Sequence, residues 1–248
     1  MLRLKRLVVF SLFALCVITA FSFWVIQQPG ADARVALSAP PRAGAKLEAA
    51  GITTAVNVTR NPDAQWLARA AAQTGIPARA LRAYVSAAAT TSASIPDCGI
   101  SWNTVAAIGF VESAHGTYGG GSLDAAGHSS GPIVGPSLNG AGFAAIPDTD
   151  GGTLDGDAHW DHAVGPMQFI PSTWRLVARD GNRDGTADPF NIDDAALSAA
   201  DYLCGHGRDL TTSQGWTDAI YAYNQSDPYI RRVRTQATAY AAKAAAAG

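Results

Sequence analysis

Apolar residues along this chain recur every three or four positions, as on helices, and nowhere alternate over a stretch as strands require. From Asp63, placed to cap a helix, Trp66, Leu67 and Ala70 form one face, and Gly75 stops the pattern. A second helix has Pro77 near its start and Leu81, Tyr84, Val85 and Ala88 along one side. Ser101 can cap a third, from Trp102 to about His115, whose buried stripe carries Trp102, Val105, Ile108 and Gly109 before Gly116 ends it. Pro171 opens a fourth that turns Trp174, Val177 and Ala178 inward and ends before Gly181. Asp193 can cap a fifth, with Ala196, Ala200, Leu203 and Cys204 at successive turns. The last two run from Trp216 to Tyr223 and, after Asp227 and Pro228, from Tyr229 into an Ala-rich tail. The predicted fold class is mostly α. Residues 116–165 have no period, but apolar islands at Ile133, Leu138, Phe143, Ile146 and Trp160 predict a long folded loop rather than a disordered insert.

The two ends of the N-terminal region have different characters. Arg3, Lys5 and Arg6 precede the uncharged stretch 8–26, which as a helix would span about 28 Å. Ala31, Asp32 and Ala33 follow with a small-x-small pattern that a signal peptidase can cut. Residues 1–33 are therefore either a signal peptide or a retained membrane anchor, and the remainder is exported in both cases. Residues 34–60, interrupted by Pro40, Pro41 and Gly44, read as a flexible Pro/Ala-rich linker, leaving 61–248 as the folded domain.

Charge excludes one class of partner. With 18 Lys and Arg against 20 Asp and Glu, and no basic run, the chain cannot neutralise a line of phosphates, so nucleic acid is not a partner. No phosphate-binding loop or dinucleotide fingerprint occurs. Cys16 lies in the apolar stretch, so Cys98 and Cys204 are the thiols of the exported part. In an oxidising space they form a disulfide; the other reading is two separately buried thiols.

Glu112 is the first candidate for chemistry, because it falls on the stripe that should face the core. Desolvation and the negative end of the helix dipole would both raise its pKa, and a carboxyl protonated near neutrality can donate to a leaving oxygen. Gly109, one turn earlier, would leave room for substrate. The bland alternative is a terminal Glu rotated into solvent. Gly165 and Pro166 form a rigid turn that brings Gln168 to the mouth of a proline-opened helix, where its amide can bond a sugar acetamido or hydroxyl group. Met167, Phe169 and Trp174 read as packing residues. Tyr221, Tyr223 and Asn224 close a helix and suit a carbohydrate groove, although a core tyrosine and an Asn cap explain them equally well.

Three blocks, Gly109 to Gly116, Ala163 to Trp174 and Ala222 to Tyr229, resemble the lytic murein transglycosylases of the membrane-bound B type. The likeness runs in order over roughly 63–233. It implies a lysozyme-like α-helical domain with long ordered loops. The implied activity is cleavage of the β-1,4 bond between N-acetylmuramic acid and N-acetylglucosamine in peptidoglycan, leaving a 1,6-anhydromuramoyl end. Glu112 would be the acid and base, with Ser113, Gln168, Tyr223 and Asn224 binding substrate. The implied partners are peptidoglycan strands, and the cytoplasmic membrane if the N-terminal span is retained. Competing functions are a muramidase that lets water capture the same intermediate and a noncatalytic wall-binding module.

No cofactor is needed for that chemistry, but a structural calcium ion is expected on one loop. Asp180, Asn182, Asp184, Thr186 and Asp188 stand at calcium-loop spacing with Gly185 at the turn, while Asn191 replaces the usual closing Glu. A solvated turn is the competing reading. Asp148, Asp150, Asp155 and Asp157 are expected to shape a loop rather than hold a metal. His159 and His162 lack a third ligand for zinc, His115 reads as a plain helix-end residue with lining of the groove as the alternative, and His128 and His206 read as surface.

Overall fold

The structure is a computed structural model that describes residues 37–45, 61–142 and 144–246. The apolar stretch 8–26, the small-x-small site, Cys16, Phe143 and residues 46–60 of the linker lie outside the described residues. Seven helices follow in order: α1 (Ala64–Thr74), α2 (Ala78–Ser94), α3 (Trp102–Ser113), α4 (Pro171–Val177), α5 (Ile192–Leu203), α6 (Ser213–Tyr223) and α7 (Asp227–Ala245). Among the described residues there are isolated β-bridges but no sheet, so the domain is mostly α-helical, consistent with a lysozyme-like fold.

Local signals account for most boundaries. Asp63 accepts from the Trp66 amide at 2.8 Å and Gly75 closes α1 in the left-handed region at φ 76°. Asn191, not Asp193, caps α5: its side chain accepts from the Asp193 amide, and Asp193 instead pairs with Arg79. α6 begins three residues before Trp216, where Thr212 accepts from the Gly215 amide.

α3 is the central helix, packed against α2, α5 and α7. Every residue from Trp102 to Gly109 is buried, so the expected stripe is in fact a helix buried on all sides. Its one buried amide is fully used: Asn103 donates to the Pro41 and Ala237 carbonyls, and its Oδ1 accepts from the Ala43 amide and the Ser101 hydroxyl. Ser101 stands at the N-cap position, yet its hydroxyl turns to Asn103 and makes no cap bond to the helix.

Those bonds involve residues 37–45, part of the stretch read as a linker, which here run as a strap over the domain. Leu37 exchanges hydrogen bonds with the Thr217 hydroxyl, Arg234 donates to Ser38, and Trp102 Nε1 donates to the Gly44 carbonyl at 3.1 Å. Cys98 and Cys204 form a disulfide with Cα atoms 5.4 Å apart, joining the turn after α2 to the end of α5. The long segment 116–165 is folded through bridges such as Val134 to Val164 and Pro147 to Trp160, with Leu138 and Ala144 buried beneath it.

Candidate functional site

The end of α3 is unusual, and Glu112 sits there. Helix geometry stops at Ser113, two residues before the predicted His115, because Ala114, His115 and Gly116 all adopt positive φ values of 50°, 65° and 78°. The Ala114 amide returns to the Phe110 carbonyl at 3.0 Å and the His115 amide to the Gly109 carbonyl at 2.9 Å, so the terminal acceptors are satisfied. Ser113, fully buried, donates to the Pro166 carbonyl at 2.6 Å and accepts from the Gly116 amide at 2.7 Å. Its hydroxyl thereby fastens the helix end to the Gly-Pro turn.

The space left by Gly109 is taken by protein, which corrects the expectation that it admits substrate. A Cβ there would lie 2.1 Å from the Tyr84 hydroxyl oxygen, so glycine is what lets α2 bring that phenol against α3.

Glu112 is half-buried, with part of its surface open to solvent. Enough protein still surrounds its carboxyl for burial to be the largest influence, raising its pKa to about 7 against a hydrogen bond from Tyr229 and the positive charge of Arg232. Tyr229 donates to Glu112 Oε1 at 2.5 Å. Burial first, and then the neighbouring Glu112 charge, keep the Tyr229 and Tyr223 hydroxyls protonated.

Gln168 and Asn224 supply two acceptors without partners. Residues 164–169 form a tight turn in which Val164 and Phe169 exchange both backbone bonds. Gly165 there is at φ 75°, and a Cβ on it would meet the Pro189 carbonyl oxygen at 1.8 Å, so only glycine makes this bend. The turn leaves Gln168 left-handed at φ 50°, with its amide nitrogen donating to the Gly165 carbonyl at 2.9 Å. Gln168 Oε1 and Asn224 Oδ1 are both buried with no hydrogen-bond partner. Tyr223 links the two regions by donating to the Met167 carbonyl at 2.7 Å, and it lies within electrostatic reach of Glu112. Glu112, Ser113, Gln168, Tyr223 and Asn224 are thus brought to one neighbourhood.

Two members of that neighbourhood have roles that sequence reasoning did not assign. Tyr229, the hydrogen-bond donor to Glu112, belongs to the third motif block, but helical spacing marks it only as the start of α7. His115, just past the helix end, is buried and contacts Tyr84 and Tyr240.

The expected calcium loop is a self-bonded turn. Asp180 accepts from the Arg183 and Gly185 amides at 2.6 and 2.9 Å, Asn182 from Asp184, Asp184 from Thr186, and Asp188 from Phe190. Buried Asp194 closes it from within by accepting from the Gly181, Asn182 and Asp188 amides. Desolvation, with the nearby Asp180 charge contributing, raises the Asp194 pKa. Among the described residues, the acidic group whose oxygens converge within 4.8 Å is a different one, Asp148, Asp150 and Asp161. Asp148 and Asp150 mostly accept local backbone amides, as Asp155 and Asp157 also do, while buried Asp161 is held by Thr149. That set is able to coordinate a metal ion. His162 bonds the Gly135 carbonyl and Asp157, and His159 and His206 are exposed.

Comparison with known proteins adds a family likeness to this geometry. Residues 150–217 match the family described as the Transglycosylase SLT domain. The matched segment contains Gln168 and the 180–188 loop, whereas Glu112, Tyr223, Asn224 and Tyr229 lie outside it. No curated protein matches the chain. Among solved structures, the Escherichia coli lytic transglycosylase SLT35 in complex with bulgecin A is similar at 14% identity and a TM-score of 0.38, over 71% of this chain and 78% of that one.

Proposed function

We propose that this protein is a lytic transglycosylase of the membrane-bound B type that cuts the β-1,4 bond between N-acetylmuramic acid and N-acetylglucosamine in peptidoglycan. The observation that carries the reading is the state of Glu112: a carboxyl raised to about 7, hydrogen-bonded by a protonated tyrosine, with Arg232 as the charge acting on it. Such a group is present in both protonation states near neutral pH, so it can serve in turn as acid and base. The family match over residues 150–217 supports a glycan-cleaving activity of this class.

The reaction needs one carboxyl group twice. Protonated Glu112 gives its proton to the glycosidic oxygen as the bond from C1 breaks. The resulting carboxylate then takes the proton of the muramic C6 hydroxyl as that oxygen bonds to C1, closing the 1,6-anhydro ring without consuming water. Hydrolases that retain or invert configuration place a second carboxylate about 5 to 9 Å away, and this route has no use for one. The developing charge at C1 is stabilised by the substrate's own acetamido oxygen. Gln168 Oε1 and Asn224 Oδ1, buried acceptors without partners, accept from acetamido N–H or hydroxyl groups and so orient that oxygen. Ser113 acts from behind, through its bond to Pro166, by holding the helix end.

The same reading places the enzyme beyond the cytoplasmic membrane, secreted or anchored by residues 1–33 and facing the wall. It includes a structural calcium ion on Asp180, Asn182, Asp184, Thr186 and Asp188, supported by the spacing of these oxygen-bearing side chains along the loop. Mass analysis of fragments released from purified peptidoglycan tests the central claim. Wild type is expected to yield anhydro ends and Glu112→Gln none. Ends heavier by one water would identify a muramidase instead, and wild type that binds glycan without turnover would identify a noncatalytic module.

A further inference from the structure

We infer that His115 is a positioning residue for Glu112: its imidazole clamps the end of α3 between α2 and α7 by bonding one tyrosine of each. His115 Nδ1 lies 3.1 Å from the Tyr84 hydroxyl and Nε2 lies 2.7 Å from the Tyr240 hydroxyl. The residue is 4% exposed, and its ring is packed by Tyr84, Phe110 and Tyr240 with centroids 5.6, 5.7 and 5.9 Å away. This inference rests on the function proposed above.

Two independent features indicate that the clamp holds a geometry the chain would otherwise leave. The backbone at Ala114 and His115 is left-handed, a conformation that disfavours residues with a Cβ and persists only where the surroundings enforce it. The ring also uses both nitrogens. A neutral imidazole offers one donor and one acceptor, and two hydroxyls that can each donate or accept complete both. Burial depresses the His115 pKa to about 4, so the neutral ring persists at neutral pH.

The consequence for Glu112 comes from both sides. His115 is three residues beyond it, just past the end of α3, and α7, which His115 grips through Tyr240, is also the helix that presents Tyr229 to the carboxyl. Loss of the clamp lets the helix end and α7 separate, weakening the Tyr229 bond that favours the carboxylate. The Glu112 pKa, set by burial and by that bond, should then shift.

His115→Phe keeps a ring and removes both bonds, whereas His115→Gln keeps a donor and an acceptor. In His115→Phe we expect kcat on purified peptidoglycan to fall about tenfold with KM within about twofold. The Glu112 titration, followed by carboxyl NMR, should move by about half a unit or more. His115→Gln should recover most of both. Unchanged kcat and titration in His115→Phe would overturn the inference, as would equal losses in both variants with the titration unmoved. If His115→Phe does not fold, Tyr240→Phe removes one bond alone and must show the same pattern in weaker form; wild-type behaviour there would refute the clamp. The titration needs no turnover, so an inactive wild type would defeat the proposed function while still reporting on the clamp.

Discussion

Glu112 should cost the folded protein stability whenever it is ionised, and replacing it should therefore produce a protein that is inactive yet harder to unfold. Its pKa is about 7 in the native state against 4.5 for the unperturbed group. Between these values the native state holds more protons than the unfolded chain, so stability falls as pH rises from about 4.5 through about 7 and is level above that. At about 1.4 kcal/mol per pH unit, the full shift corresponds to about 3 kcal/mol, and the partial exposure of the residue reduces this to about 2 kcal/mol. Glu112→Gln has the shape of the protonated acid and can still accept from Tyr229. At pH 8 it should melt about 4–8 °C above wild type, given the response of a domain this size to about 2 kcal/mol. Near pH 4.5, where the native carboxyl is protonated and the unfolded one about half so, most of the difference should be gone and the two proteins should melt nearly together. The assay is thermal or urea unfolding of both proteins at the two pH values. Equal stability at pH 8, or the same difference at both pH values, would refute the claim that this carboxyl is held against its preferred ionisation.

Three further outcomes follow from individual contacts. Tyr229→Phe removes a bond that favours the carboxylate, worth about 1.5 kcal/mol for a charged acceptor, so the basic limb of the rate profile should move up by about one pH unit. Gly109→Ala should lower the melting temperature despite alanine's better helix propensity. The new methyl meets the Tyr84 hydroxyl, overpacking costs about 1–3 kcal/mol, and adding Tyr84→Phe should restore part of the loss. Calcium should raise the melting temperature and a chelator should reverse the rise, with Asp180→Asn abolishing the response; a wild type indifferent to both would remove the ion from the 180–188 loop.

The helical elements were legible because caps and stops are local. Asp63, Gly75, Pro77 and Pro171 act within a turn of themselves, and each does what its neighbours in sequence imply. The end of α3 was misplaced because a left-handed alanine and histidine have no local signature. Tyr84, Tyr240 and Pro166, distant in sequence, hold them there. Gly109 was misread for the same reason, since the space it leaves is visible in sequence but its occupant is not. Glu112 was found through its place among apolar positions, although α3 proved to be buried all round and the argument from a stripe applies only to its last turn. Tyr229 was quoted within a motif and given no task, because periodicity describes which way a helix faces and not which hydroxyl meets which acid. In the strap, composition suggested freedom while Asn103, Trp102 and Arg234 supply bonding partners from helices far along the chain.

The covalent link between Cys98 and Cys204 encloses Glu112 and Gln168 but leaves Tyr223, Asn224 and Tyr229 outside. Its 106-residue span constrains the unfolded chain by about 4–5 kcal/mol, a sizeable share of the roughly 5–15 kcal/mol that holds a typical domain together. A chain whose thiols have met no oxidant lacks that contribution and folds with a smaller margin. Oxidation of this one pair of thiols thus sets how firmly the segment carrying Glu112 and Gln168 is held against loss of the fold.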